Sequence, residues 1–129
     1  VTGLSGIWPN AQKQGKIAAQ NMVLGNKYQY EDRFAAKNTI NFFGLVSLCV
    51  GKLNPEEGDE VIAREAADQY QRAIFTDNKL VGFLQQGDIS HDGIYQYLIK
   101  NQIDLSDKKD SLSFGDFYGV KENGEYIWR

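Results

Sequence analysis

The chain has 129 residues, enough for one domain with a sizeable core, and its 42% hydrophobic and 24% charged residues are those of an ordinary globular protein. A net charge of −3 with scattered Lys and Arg excludes the clustered basic surface that nucleic-acid binding requires. No apolar stretch reaches bilayer-spanning length and no charged-then-apolar leader is visible, while the single Cys49 excludes a disulfide framework, a CxxC redox pair and a zinc ribbon, so a reducing, cytoplasmic setting without membrane contact is expected.

The first predicted element is a helix over residues 8–24. Pro9 has the φ of a first helical turn and loses no useful N–H there, with Trp8 or Asn10 flanking or capping the start. Ala11, Gly15, Ala18 and Met22 recur at helical spacing and form a stripe low enough for another backbone to approach. Gly15 costs roughly 1 kcal/mol against Ala in a helix interior, which points to a need for space. Gly25 suits a left-handed C-cap. Residues 26–38 read as a connecting arm pinned to the body by Tyr28, Tyr30 and Phe34.

From residue 39 the pattern turns to strands. Thr39 to Phe43 and Leu45 to Val50 are rich in β-branched and aromatic residues, with Gly44 as a bend or bulge between them. Asn54 to Gly58 form a turn, followed by short strands over 60–64 and 69–75. Thr76-Asp77-Asn78-Lys79 is a tight hairpin turn, because Asp and Asn tolerate positive φ, and 79–86 is the returning strand. Asp88 or Ser90 then caps a helix running to about Lys100, with Ile94, Tyr97, Leu98 and the later Ile103 on its inner side. Residues 104–129 read as a loose polar tail with aromatic islands, a short helical turn and one more strand or arm. The sum is α+β, a small, mostly antiparallel sheet of four to five strands with helices on one side.

Chemistry-bearing residues are few. Cys49 lies inside an apolar run and reads as a buried structural thiol. His91, between Asp88 and Asp92, reads as a solvated or capping residue. The carboxylates Asp88, Asp92, Asp104, Asp107 and Asp110 lack the spacing of a calcium loop and read as solvated charge. The same holds for the pairs Glu31-Asp32, Glu56-Glu57 and Asp59-Glu60. There is no GxGxxG, P-loop or GxSxG, so no complete active site is present.

Three runs carry a family resemblance. Trp8-Pro9-x-Ala11-x-x-Gln14-Gly15-x-x-Ala18-Ala19-x-Asn21-Met22 resembles the helix that follows the second FAD motif of pyridine nucleotide-disulfide oxidoreductases. Asn38 to Leu45 is similar to the opening of that family's C-terminal domain, and Leu80 to Asp88 with the following 89–99 is similar to its closing strand and helix. The runs stand in the family's order. They are nearest to NADH:rubredoxin reductases and the flavoprotein part of NAD(P)H nitrite reductases.

The resemblance implies that residues 1–25 are the tail of an FAD-binding module and 26–129 an interface domain, with the nucleotide-binding modules upstream of Val1. It further implies a flavin-dependent NAD(P)H oxidoreductase, a homodimer, passing electrons via FAD to rubredoxin, a nitrite-reducing centre or another acceptor. Ile7, Trp8 and Pro9, with Gly6 through its backbone, would then border the flavin, the helix end stabilising negative charge on its pyrimidine edge. The alternative, which the residues alone favour, is that Trp8 and Pro9 are a helix-start staple packed on the core; the chain would then be a stand-alone, non-catalytic α+β interaction module. The two readings differ over Ala11, Gly15 and Ala18, which the flavoprotein reading leaves exposed in this chain and residues 39–129 would otherwise cover.

Overall fold

A computed structural model describes residues 7–30 and 37–128. Its first element is helix α1 (Trp8–Leu24), followed by strands β1 (Lys37–Phe42), β2 (Leu45–Gly51), β3 (Glu60–Ala66), β4 (Gln69–Thr76) and β5 (Lys79–Gln86). Helix α2 (Gly93–Asn101), the single turn α3 (Phe114–Phe117), and the short strands β6 (Tyr118–Val120) and β7 (Tyr126–Trp128) complete it. The five strands form one antiparallel sheet in the order β1-β2-β5-β4-β3, so the expected α+β fold is present.

The turn chemistry explains the hairpins. Phe43 and Gly44 have φ of 51° and 95°, so Gly44 closes a two-residue hairpin between β1 and β2 and is neither a bend nor a bulge within a strand. Asp77 and Asn78, at φ 49° and 62°, close β4 onto β5 as the sequence predicts. A bulge follows. Ile74 pairs with Gly82 while Phe75 pairs with Leu80, so Val81 is the extra residue. That slip lets Leu80 and Phe83, three positions apart, both face the core.

The core lies between one face of the sheet and α2. Leu48, Val50, Ala73, Phe75, Leu80 and Phe83 pack against Ile94, Tyr95, Leu98 and Ile99. Tyr97 is therefore not on the inner side of α2 as its spacing suggested; it is exposed, and Tyr95 and Ile99 take that face. The helix starts at Gly93, later than expected, because Asp88 first accepts hydrogen bonds from the backbone and hydroxyl of Ser90 and so forms a turn. Neither Asp88 nor Ser90 caps α2; the N-cap is Asp92.

The segment after α2 is not loose in its first half. Leu105, Leu112 and Phe117 are buried and complete the core. The Leu105 amide donates to the Asn78 carbonyl at 2.9 Å, tying the segment to the β4–β5 turn. Ser113 and Asp116 form a capping box that starts α3.

Helix α1 matches its predicted bounds and contains no buried residue. Its Gly25 has φ 79° but ψ 167°, outside the left-handed helical region expected of it. The arm that follows is fastened to α1 itself: the Asn21 side chain accepts from the Tyr28 amide at 2.9 Å and donates to the Tyr28 carbonyl at 2.8 Å. The Lys13 ammonium lies 5.7 Å from the Tyr30 ring centre. Phe34 falls outside the described residues.

Candidate functional site

Among the described residues no side chain caps the start of α1. Ile7, in an extended conformation at the N-cap, offers no side-chain acceptor, and its carbonyl receives the first helical bond from the Ala11 amide at 3.0 Å. Helix amides at such an end carry partial positive charge. Ile7, Pro9, Asn10 and Lys13 line one side of a cleft of about 480 Å³; Gln96, Tyr97 and Lys100 of α2 line the other, with Tyr30 and Lys37 between. Among the described residues three lysines and no carboxylate line it.

Of the predicted site residues, the structure brings Ile7 and Pro9 into this cleft and leaves Trp8 out of it. Trp8 is 79% exposed, so it is not a staple packed on the core. Gly6 lies outside the described residues. Ala11, Gly15, Ala18 and Met22 are all exposed, and a Cβ built on Gly15 meets nothing within 4 Å. Residues 37–128 do not cover the small-residue stripe. The contributions of Lys37, Gln96 and Lys100 escape a sequence reading, because they depend on the start of α1 and α2 lining one cleft.

The remaining candidates separate. Cys49 is half-buried on β2 and alternates away from the core neighbours Leu48 and Val50, so it is not a fully buried thiol. His91 is exposed and stacks on Phe114, ring centres 4.6 Å apart. Among the described residues no group of His, Cys, Asp and Glu is placed to hold a metal ion.

Two carboxylates expected in solvent are not there. Asp59 accepts from the Glu56 amide at 2.8 Å, from the Lys52 ammonium at 2.5 Å and from the Thr76 hydroxyl at 2.6 Å. These bonds, the Glu56 amide first, hold its pKa at about 2. Asp92 is buried, 5% exposed, and burial lifts its pKa to about 6. Glu31 and Asp32 lie outside the described residues.

The profile of the rubredoxin NAD+ reductase C-terminal domain matches residues 37–103, just over half of the chain. The chain belongs to this family. The rubredoxin reductase C-terminal match begins at β1 and runs through α2, so it covers the whole five-stranded sheet. A longer similarity, 30% identity over 129 residues and 98% of the chain, is to the NADH-dependent phenylglyoxylate dehydrogenase subunit epsilon of Aromatoleum evansii. The crystal structure of NADH:rubredoxin oxidoreductase from Clostridium acetobutylicum shares the fold at a TM-score of 0.53 and 19% identity, over 77% of this chain. The chain spans 31% of the first relative's length and 26% of the second's. Among the described residues no helix is long and apolar enough to cross a membrane.

Proposed function

We propose that this chain is the C-terminal part of a flavin-dependent NAD(P)H oxidoreductase. Residues 1–25 close the FAD-binding module and 26–129 form the interface domain that joins two copies or receives the electron acceptor. The observation that carries the reading is α1, a 17-residue helix with no buried residue and a stripe of Ala11, Gly15, Ala18 and Met22 left bare. Isolated helices of this length are marginal in water, so one with no fully buried residue calls for a packing partner.

The start of α1 fits a flavin in exposure and helix polarity: Ile7, Trp8 and Pro9 border a helix end with no side-chain cap, and Trp8 is exposed. FAD, when bound, supplies hydride acceptance from NAD(P)H and release of electrons to an acceptor. The chain's own part is to hold negative charge with the α1 amides and to offer the Trp8 indole as an apolar wall that keeps water from the ring edge. The acceptor is rubredoxin, a nitrite-reducing centre or another redox protein. The names of both relatives support an NADH-linked role, and they differ in the second partner.

The test is the intact mass and visible spectrum of the native gene product. Flavin bands on a protein well above 14.6 kDa are expected. A colourless product near that mass would withdraw the flavoenzyme reading in favour of a stand-alone interaction module. In the holoenzyme, Trp8→Ala is expected to shift the flavin bands and slow their bleaching by NAD(P)H; an unchanged spectrum and rate would place Trp8 away from the flavin.

A further inference from the structure

A second cleft, of about 570 Å³, opens where the β3–β4 hairpin, the residues leading into α2 and the segment 110–114 meet. One wall is a chain of polar side chains that satisfy one another. Arg64 donates to the Gln71 side-chain oxygen at 2.8 Å and to the Lys109 carbonyl at 3.0 Å. Gln71 donates to Gln85 at 3.2 Å, and the Tyr95 hydroxyl donates to the Leu112 carbonyl.

Asp92 lines the same cleft and does not join this chain. Its residue is 95% buried, and its Oδ2 has no hydrogen-bond partner among the described residues. It stands at the N-cap of α2, yet its side chain caps no helix amide. A buried carboxyl without a partner is costly.

The surroundings indicate what would complete it. Glu65, Asp88 and Asp110 join Asp92 in the lining, against the single guanidinium of Arg64, which is already engaged by Gln71 and the Lys109 carbonyl. The lining therefore favours a cation. The stacked rings of His91 and Phe114 supply an aromatic wall in the same cleft, suited to an apolar stem or a cationic head.

We propose that this cleft binds a small organic ammonium ion, its nitrogen donating to the Asp92 carboxylate and its apolar part lying along the His91–Phe114 ring pair. The site stands independently of the flavin reading, since none of its residues belongs to α1.

The experiment is a heteronuclear NMR titration of the full chain near neutral pH with benzylammonium chloride, with benzyl alcohol and phenylacetate as the neutral and anionic counterparts. Benzylammonium is expected to shift the amide resonances of Asp92, Gly93 and Phe114. It is expected to bind at least about tenfold more tightly than either counterpart, the size of one charge-assisted hydrogen bond, and to lose that margin in Asp92→Asn. No shifts at millimolar benzylammonium would overturn the proposal, as would equal binding of benzyl alcohol or unchanged binding to Asp92→Asn. Should Asp92→Asn lose its dispersed spectrum, the three probes on the unaltered chain decide: a benzylammonium margin with shifts at Asp92 and Phe114 supports the site, and its absence overturns it.

Discussion

Phe83 of β5 and Tyr95 of α2 lie ring against ring, their centres 3.5 Å apart and their planes inclined by 21°. The pair is the point at which the sheet meets its helix. From there the Tyr95 hydroxyl reaches the Leu112 carbonyl, so one side chain fastens sheet, helix and the following segment together. Burial raises the pKa of that hydroxyl, with Asp92 adding to the effect, so it stays a donor at neutral pH.

Tyr95→Phe keeps the ring and deletes the hydroxyl, leaving the Leu112 carbonyl without this donor. The expected loss is about 1–2 kcal/mol, against about 3–5 kcal/mol for Phe83→Ala, which opens a cavity under α2. Urea unfolding of the two variants measures both. Equal stability of Tyr95→Phe and the unaltered chain would mean that the hydroxyl fastens nothing.

Much of the fold is legible because local chemistry and burial agree. Asp77-Asn78 needs positive φ and flanks alternating apolar residues, so the β4–β5 hairpin and the bounds of β5 follow from the sequence. Pro9 and Gly25 bracket α1 in the same way. The inner face of α2 is less legible: the Asp88–Ser90 turn delays the helix start, and Tyr95 and Ile99 take the positions expected of Tyr97. Leu105, Leu112 and Phe117 carry no periodicity, and only the closed fold shows that they complete the core. One signal was there to be read, since Ser113-x-x-Asp116 has capping-box spacing and marks α3. As for the candidate site, Ile7, Trp8 and Pro9 are visible only through the family resemblance, and its lysines only through the cleft that the start of α1 and α2 line together.

Two glycines give opposite expectations. A Cβ on Gly82 would stand 1.9 Å from the Lys52 carbonyl oxygen, backbone that has no rotamer to escape into. Gly82→Ala is expected to destabilise by more than the roughly 1–3 kcal/mol of ordinary overpacking. Gly15→Ala meets no atom and adds about 1 kcal/mol of helix propensity to α1, raising helical circular dichroism in this chain. If α1 packs on a flavin module, the same substitution costs stability in the longer protein, and thermal unfolding of both forms separates the cases. A gain in both would mean that nothing approaches Gly15.

Asp59 organises the loop between β2 and β3, and its carboxylate is held in the ionised form by the Glu56 amide, then Lys52 and Thr76. With a folded pKa of about 2, below its unfolded value, it contributes stability above about pH 4 that is lost as the pH falls toward 2. Asp59→Asn is expected to lower the urea midpoint at neutral pH and to converge with the unaltered chain in strong acid. A midpoint difference that persists unchanged at low pH would assign the effect to packing rather than charge.

Asp92 runs the other way. Burial, with help from Asp88 and against Lys37, lifts its pKa to about 6, so the folded state binds that proton more tightly than the unfolded state does. Its contribution is therefore full below about pH 4, erodes as the pH rises toward 6 and is constant beyond. Asn resembles the protonated side chain. Asp92→Asn should match the unaltered chain near pH 4 and exceed it by about 1–3 kcal/mol above pH 6, the window being read from urea midpoints across that range. Asp59 stays ionised throughout that window and leaves the comparison undisturbed. A difference that does not change with pH would show that the Asp92 carboxylate is satisfied in the folded chain. A variant that gains stability and loses benzylammonium binding would identify Asp92 as a charge retained for its ligand.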